Sequence, residues 1–155
     1  MSKSVQLIIH NVRSAHNVGS LFRTADGMGV SKIFLTGYTP APLDRFGRKD
    51  AKLSKVSLGA EEIVPWEQKE IHELIHELKL HKYEVVALEQ SPHAIPLSEY
   101  APKQSVALIV GNEIDGVTED ILSLCDVTVE IPMKGEKESL NVSNAGAIAL
   151  FAISK

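Results

Sequence analysis

Apolar positions along this chain fall into short continuous runs separated by polar, glycine-containing stretches and by segments of helical period. Residues 5–9, Val-Gln-Leu-Ile-Ile, predict a buried strand, and a polar turn follows around Asn11 to Asn17. Leu21, Ala25 and Met28 share a face, which predicts a helix over 18–28 with Gly29 as its C-terminal stop. Residues 31–36 predict the next strand. Residues 37–60 carry Gly37, Pro40, Pro42, Gly47 and Gly59 and predict a long loop with one short helical piece. Loops of that length in a compact domain are usually either functional or disordered.

Residues 62–64 predict a short strand, and residues 67–81 a helix with Ile71, Leu74, Ile75 and Leu78 on one face. Trp66, after Pro65, reads as a packing residue at that helix start. Strands are predicted at 83–88, 106–110 and 127–131, a short helix at 118–124 capped by Thr118, and a closing helix at 142–153. Strands alternating with helices predict one α/β domain over residues 1–155, with a mostly parallel sheet flanked by helices. No repeat, low-complexity segment or linker composition interrupts it.

Composition narrows the setting. The 155 residues include one cysteine, Cys125, so no internal disulfide can form and a cytoplasmic location is expected. The longest apolar runs are far short of the roughly 18 residues of a membrane span. The N-terminus has no signal-peptide anatomy.

The net charge of −4 is unevenly spread. Residues 1–60 hold nine Lys and Arg against three Asp and Glu, whereas residues 61–155 hold seven against seventeen. Such asymmetry suggests a local phosphate-binding surface on an acidic body. Arg13 and the loop cations Arg45, Arg48, Lys49, Lys52 and Lys55 are the candidate phosphate contacts. His72 and His76 stand at zinc-compatible spacing, but no H-E-x-x-H glutamate or third ligand accompanies them, so no metal is expected.

Ligands in open α/β sheets sit beyond the carboxyl ends of the strands. Three stretches there carry chemistry. Residues 11–26 place Asn17 at a helix mouth and Arg23 six residues on, able to reach toward one site, with Gly19 permitting close approach of a backbone or ligand. Residues 106–117 end an apolar strand in Gly111-Asn112-Glu113, where bare backbone can receive a flat ligand. Residues 129–147 run from Ile131-Pro132-Met133 through a charged loop into Ser139-Leu140-Asn141-Val142-Ser143-Asn144-Ala145. Ser139, Asn141 or Ser143 would suffice to cap the helix, and the small face from Ala145 to Ala149 permits close packing, across a dimer among other options. Neither GxGxxG nor GxxxxGK[ST] occurs, which counts against a dinucleotide or P-loop enzyme.

In this order the three stretches resemble the signature motifs of the SpoU/TrmH branch of the SPOUT methyltransferases, from Asn11 to Phe151. The resemblance implies an α/β domain with a C-terminal trefoil knot, working as a homodimer. Fuller members of the family carry extra helical segments for RNA binding; residues 1–155 are expected to be the catalytic domain without a separate RNA-binding domain, so Arg13, Arg45, Arg48, Lys49, Lys52 and Lys55 are its expected RNA surface. It implies S-adenosylmethionine as methyl donor and a ribose 2′-hydroxyl of tRNA or rRNA as acceptor, with no DNA partner. It assigns catalysis to Arg23, Asn17, Glu113, Ser139 and Asn141. It assigns the cofactor pocket to Leu88, Val110, Gly111, Ile131, Met133 and Leu140. Since a guanidinium almost never deprotonates, Arg23 fits a phosphate clamp better than a base. The competing expectation is a catalytically inactive relative of the same fold that binds RNA.

Overall fold

A computed structural model describes residues 3–155. Its centre is a seven-stranded sheet in the order β3-β2-β1-β6-β4-β7-β5, and every adjacent pair in it is parallel. The strands are β1 (Val5–His10), β2 (Lys32–Thr36), β3 (Trp66–Gln68), β4 (Glu84–Leu88), β5 (Ile95–Pro96), β6 (Val106–Val110) and β7 (Val127–Glu130). Helices α1 (Ala15–Gly27), α2 (Ala51–Ser57), α3 (Ala60–Ile63), α4 (Ile71–Leu80), α5 (Glu119–Leu122) and α6 (Val142–Ile153) cover it.

The central strands read as unbroken apolar runs because both of their faces are buried. Alternate residues serve different layers. Leu7, Ile9, Val106, Leu108 and Val110 join Leu21 and Phe22 of α1, Leu53 of α2 and Leu150 of α6 in one core. Ile8, Ala107 and Ile109 join Leu74, Ile75 and Leu78 of α4 and Ile121 of α5 in the other. The result is three layers, helices on both faces of one sheet. No helix among the described residues is long and apolar enough to cross a membrane.

Several local expectations change. The first helix starts at Ala15, three residues earlier than its apolar stripe suggested, because Ser14 Oγ accepts the Asn17 N–H as an N-cap. Residues 62–64 form no strand: Ala60–Ile63 is a single helical turn entered through Gly59. The strand falls instead on Trp66–Gln68, paired with Ile33 to Leu35, so Trp66 is a strand residue and no helix starts there. The helix that follows begins only at Ile71, capped by Glu70, whose carboxylate accepts the His72 and Glu73 N–H groups. His72 Nδ1 lies 2.8 Å from the same carboxylate. Thr118 precedes α5 without capping it, since its hydroxyl bonds the Asp120 side chain.

Gly19 does admit another backbone. A Cβ there would lie 2.5 Å from the Leu53 carbonyl oxygen of α2, so α1 and α2 meet at contact distance only through glycine. The small face of α6 is likewise used inside the chain, where Gly146 sits against Leu21 of α1.

Candidate functional site

In the strand order, the chain runs outward from β1 through β2 to β3, while β6 is flanked on its other side by β4 and β7. Connections leaving β1 and β6 therefore diverge, and the crevice between their carboxyl ends is the expected place for a ligand. Glu113, just after β6, reaches across that crevice to the start of α1. Its Oε1 accepts the Arg13 N–H at 3.0 Å, and its Oε2 accepts the Ser14 N–H at 2.9 Å and Asn17 Nδ2 at 3.1 Å. Burial pushes the Glu113 carboxyl up, but the Arg13 and Ser14 amides and the Asn17 side chain outweigh it and hold the group below its ordinary range.

The third stretch closes the chain of contacts. Asn141 Nδ2 donates to Asn17 Oδ1 at 3.3 Å, while Asn141 Oδ1 accepts the Ser143 N–H at 2.9 Å and the Ser143 hydroxyl at 2.6 Å. Among the three cap candidates, Asn141 therefore caps α6. One line of hydrogen bonds joins residues 13–17, 113 and 141–143, which come from three separate strand-to-helix connections and the helix starts they lead into. Asn17 is 7% exposed, so both ends of its amide find partners where water is scarce.

Beside this line lies a cleft whose walls include Leu88, Val110, Gly111, Ile131 and Leu140, with Ser139 and Glu113 at its margin. Met133 lies outside that lining. Gly111 does not offer an open backbone shelf, contrary to the simple expectation. A Cβ there would fall 2.6 Å from the Gly116 carbonyl, because residues 112–116 fold back over it. Asn112 ties that loop, its Oδ1 accepting the Ile114 and Asp115 N–H groups while its Nδ2 donates to the Asn11 carbonyl and the Tyr38 hydroxyl.

Glu89 and Gln90 complete the cleft and were missing from the expected set. Glu89 Oε2 accepts the Val117 N–H at 2.8 Å, and Gln90 Nε2 donates to the Glu138 carbonyl at 2.8 Å. They follow β4 as Glu113 follows β6, and that strand-end position is the signal that could have found them. The apolar walls with a polar rim suit a ligand that has a flat apolar part and hydrogen-bonding ends.

Arg23 is not part of this cluster within one chain. It sits on α1 with Asn17, but six residues advance the helix by roughly 600°, about 120° short of a whole number of turns. Asn17 thus faces the crevice while Arg23 is exposed on another side. The spacing alone suggested a shared direction, and the helical phase removes it. Arg13, Arg45, Arg48, Lys49, Lys52 and Lys55 are all exposed. Arg13 lies over the Tyr38 ring at 5.6 Å, Arg48 pairs with Asp44 and Lys49 with Glu62. Cys125 is no nucleophile, since burial pushes its thiol up to about 11.

Known proteins resemble this chain over nearly its whole length. It is 34% identical to the 23S rRNA (guanosine-2′-O-)-methyltransferase RlmB of Neisseria meningitidis, over 93% of the chain and 55% of that protein. It thus spans a little over half the length of the curated relatives it matches. The AdoMet-bound rRNA methyltransferase of Sinorhizobium meliloti shares the fold with a TM-score of 0.89 at 24% identity, covering 98% of this chain and 56% of that one. The TrmH/SpoU tRNA modifying enzyme of A. aeolicus gives 0.84 at 26% identity, covering 99% and 75%. The sequence profile of the SpoU rRNA Methylase family matches residues 4–151, a span that holds all three connections of the hydrogen-bonded line. The chain belongs to the SpoU rRNA Methylase family.

Proposed function

We propose that this chain transfers a methyl group from S-adenosylmethionine to a ribose 2′-hydroxyl of tRNA or rRNA. The observation that carries the reading is the line Glu113–Asn17–Asn141, built from three strand-to-helix connections and their helix starts beside an apolar cleft, in a chain whose relatives are RNA methyltransferases. Leu88, Val110, Ile131 and Leu140 would hold the adenosine, with Gly111 and the 112–116 turn forming the floor. When bound there, S-adenosylmethionine supplies an electrophilic methyl.

The chain's own residues orient and stabilise. Glu113, ionised and fully engaged, fixes the Asn17 amide, and Asn17 in turn fixes Asn141 at the α6 N-terminus. Ser139 stands exposed at the cleft margin and is free to meet a ribose hydroxyl. Arg23 would hold a phosphate of the RNA through its guanidinium fork and so help place the ribose.

Residues 1–155 act as one catalytic domain in this reading, in the cytoplasm and as a homodimer. Two features support the dimer. Ile148 and Phe151 of α6 are 45% and 62% exposed, on the face opposite the one packed on α1. Arg23 also needs a partner to meet a site it does not face in its own chain. A C-terminal trefoil knot fits the order β6-β4-β7. Supporting it, the loops leaving β4, β6 and β7 are bonded to one another through Glu89–Val117 and Gln90–Glu138, while α6 packs back on α1, β4 and β6.

Calorimetric titration with S-adenosylmethionine, and separately with ATP and NAD, tests the cleft. Methylation of bulk tRNA and rRNA with labelled donor then tests the reaction, the ribose position being read from resistance to alkaline cleavage. Binding of ATP or NAD in place of the methyl donor would sink the proposal. The displaced Arg23 favours one second reading, a catalytically inactive RNA-binding relative, and donor binding without transfer to any RNA would select it.

A further inference from the structure

Phe46 is 66% exposed and belongs to neither core. An exposed ring on a loose loop would carry no message, but this one is held on a built turn. Asp44 Oδ1 accepts the Phe46 and Arg48 N–H groups at 2.8 and 2.9 Å, and Asp44 Oδ2 accepts Arg48 Nε at 2.9 Å. The Gly47 N–H donates to the Asp44 carbonyl at 3.0 Å, and the Asp44 N–H to the Arg48 carbonyl at 2.9 Å. The Leu43–Lys49 bridge closes the stem. Arg45 and Arg48 set their guanidinium carbons 4.8 and 5.0 Å from the ring centre. A concave surface lined by Thr39, Leu43, Trp66 and Gln68 adjoins the ring.

The loop leaves the carboxyl end of β2, the neighbour of β1, so it rises from the same edge of the sheet as the cleft. Residues 44–55 carry five cations against two acids, a surface for a polyanion. A polyanion whose units also bear flat rings matches both the charge and the ring. Inside a duplex those rings are already stacked on each other, so only an unpaired stretch can offer one. We propose that Phe46 is a stacking platform for an unpaired nucleobase of the substrate RNA, with Arg45 and Arg48 turning from the ring to the flanking phosphates. This rests on the RNA reading above and adds to it that the substrate is presented as a loop or single strand.

Fluorescence anisotropy of the full chain with two labelled RNAs tests it, one a short hairpin with an unpaired loop and one a blunt duplex of the same composition. The chain should bind the hairpin more tightly. Phe46→Ala should weaken hairpin binding about tenfold and leave duplex binding within about twofold, the size expected for one lost base stack. Phe46→Trp should restore hairpin binding and Phe46→Leu should not, which separates stacking from apolar contact. Equal weakening on both RNAs, or none on either, overturns the proposal. So does a shift from dimer to monomer in sedimentation of Phe46→Ala, which would make the ring a contact between copies. The assay contains no methyl donor, so it judges stacking separately: donor binding by calorimetry with an unchanged hairpin preference in Phe46→Ala removes the platform and leaves the enzyme.

Discussion

At the scale of single residues, the site depends on a carboxylate that spreads its charge over neutral donors. Glu113 receives two main-chain N–H groups and one side-chain amide, and no ion pair engages it among the described residues. Glutamine in its place would keep an acceptor for the Ser14 N–H and Asn17 Nδ2 only by turning its NH2 to the exposed Arg13 N–H, losing that hydrogen bond at a cost of about 1 kcal/mol. Glu113→Gln should therefore lower the denaturation midpoint and disturb α1 entry, seen as faster amide exchange at Arg13. Unchanged exchange there would mean the carboxylate does not hold the turn. Glu113, Asn17 and Asn141 could be picked out of the sequence because they are polar residues at loop-to-helix junctions. Their bonding to one another could not, since partners 96 and 124 residues apart leave no local trace. Arg23 shows the reverse: its spacing from Asn17 was visible, but the helical phase that separates the two needed the start of α1 at Ala15.

At the scale of elements, two helix ends make separable predictions. Asn141 both caps α6 and links it to Asn17. Asn141→Asp keeps an acceptor for the Ser143 N–H but loses the donor to Asn17, whereas Asn141→Ala loses both. The alanine variant should cost about 1 kcal/mol in equilibrium unfolding, the aspartate variant much less, and both should lose methyl transfer. Full activity in Asn141→Asp would confine this residue to capping. The α2 helix ends on Leu58, 64% exposed at φ 52°, a left-handed conformation that suits glycine. Leu58→Gly should raise stability by up to about 1 kcal/mol in urea unfolding, and a fall would show that the Leu58 side chain does work in the fold. The elements most easily foreseen were β1, β6 and α6, where apolar runs are long and unambiguous. Short pieces were misjudged because a three- or four-residue segment such as Ala60–Ile63 or Trp66–Gln68 takes its form from what it pairs with, in the latter case β2.

For the molecule as a whole, acidity acts first through His10. Burial lowers its pKa, outweighing the opposing field of Asp120, and its Nδ1 lies 2.7 Å from the Thr36 hydroxyl. Between the lowered folded value and the ordinary one the unfolded chain binds more protons, so stability is full above about pH 6.5 and falls as pH drops through the folded value. Melting temperature measured from about pH 8 to about pH 5 should show that decline, and His10→Asn should flatten it. Glu113, also lowered, adds its loss only at more acid pH. The α/β class with its parallel sheet was readable from alternation. The order β3-β2-β1-β6-β4-β7-β5 was not, because β1 pairs with a strand about a hundred residues further on. That distance also sets a timetable. On a ribosome, α1 and its Asn17 emerge long before Asn141, so for most of its synthesis the chain has a sheet half built and no partner for the Asn17 carbonyl. Pairings this remote form slowly, so the hydrogen-bonded line through Asn17 closes last, when α6 docks on α1 and brings Asn141 to it.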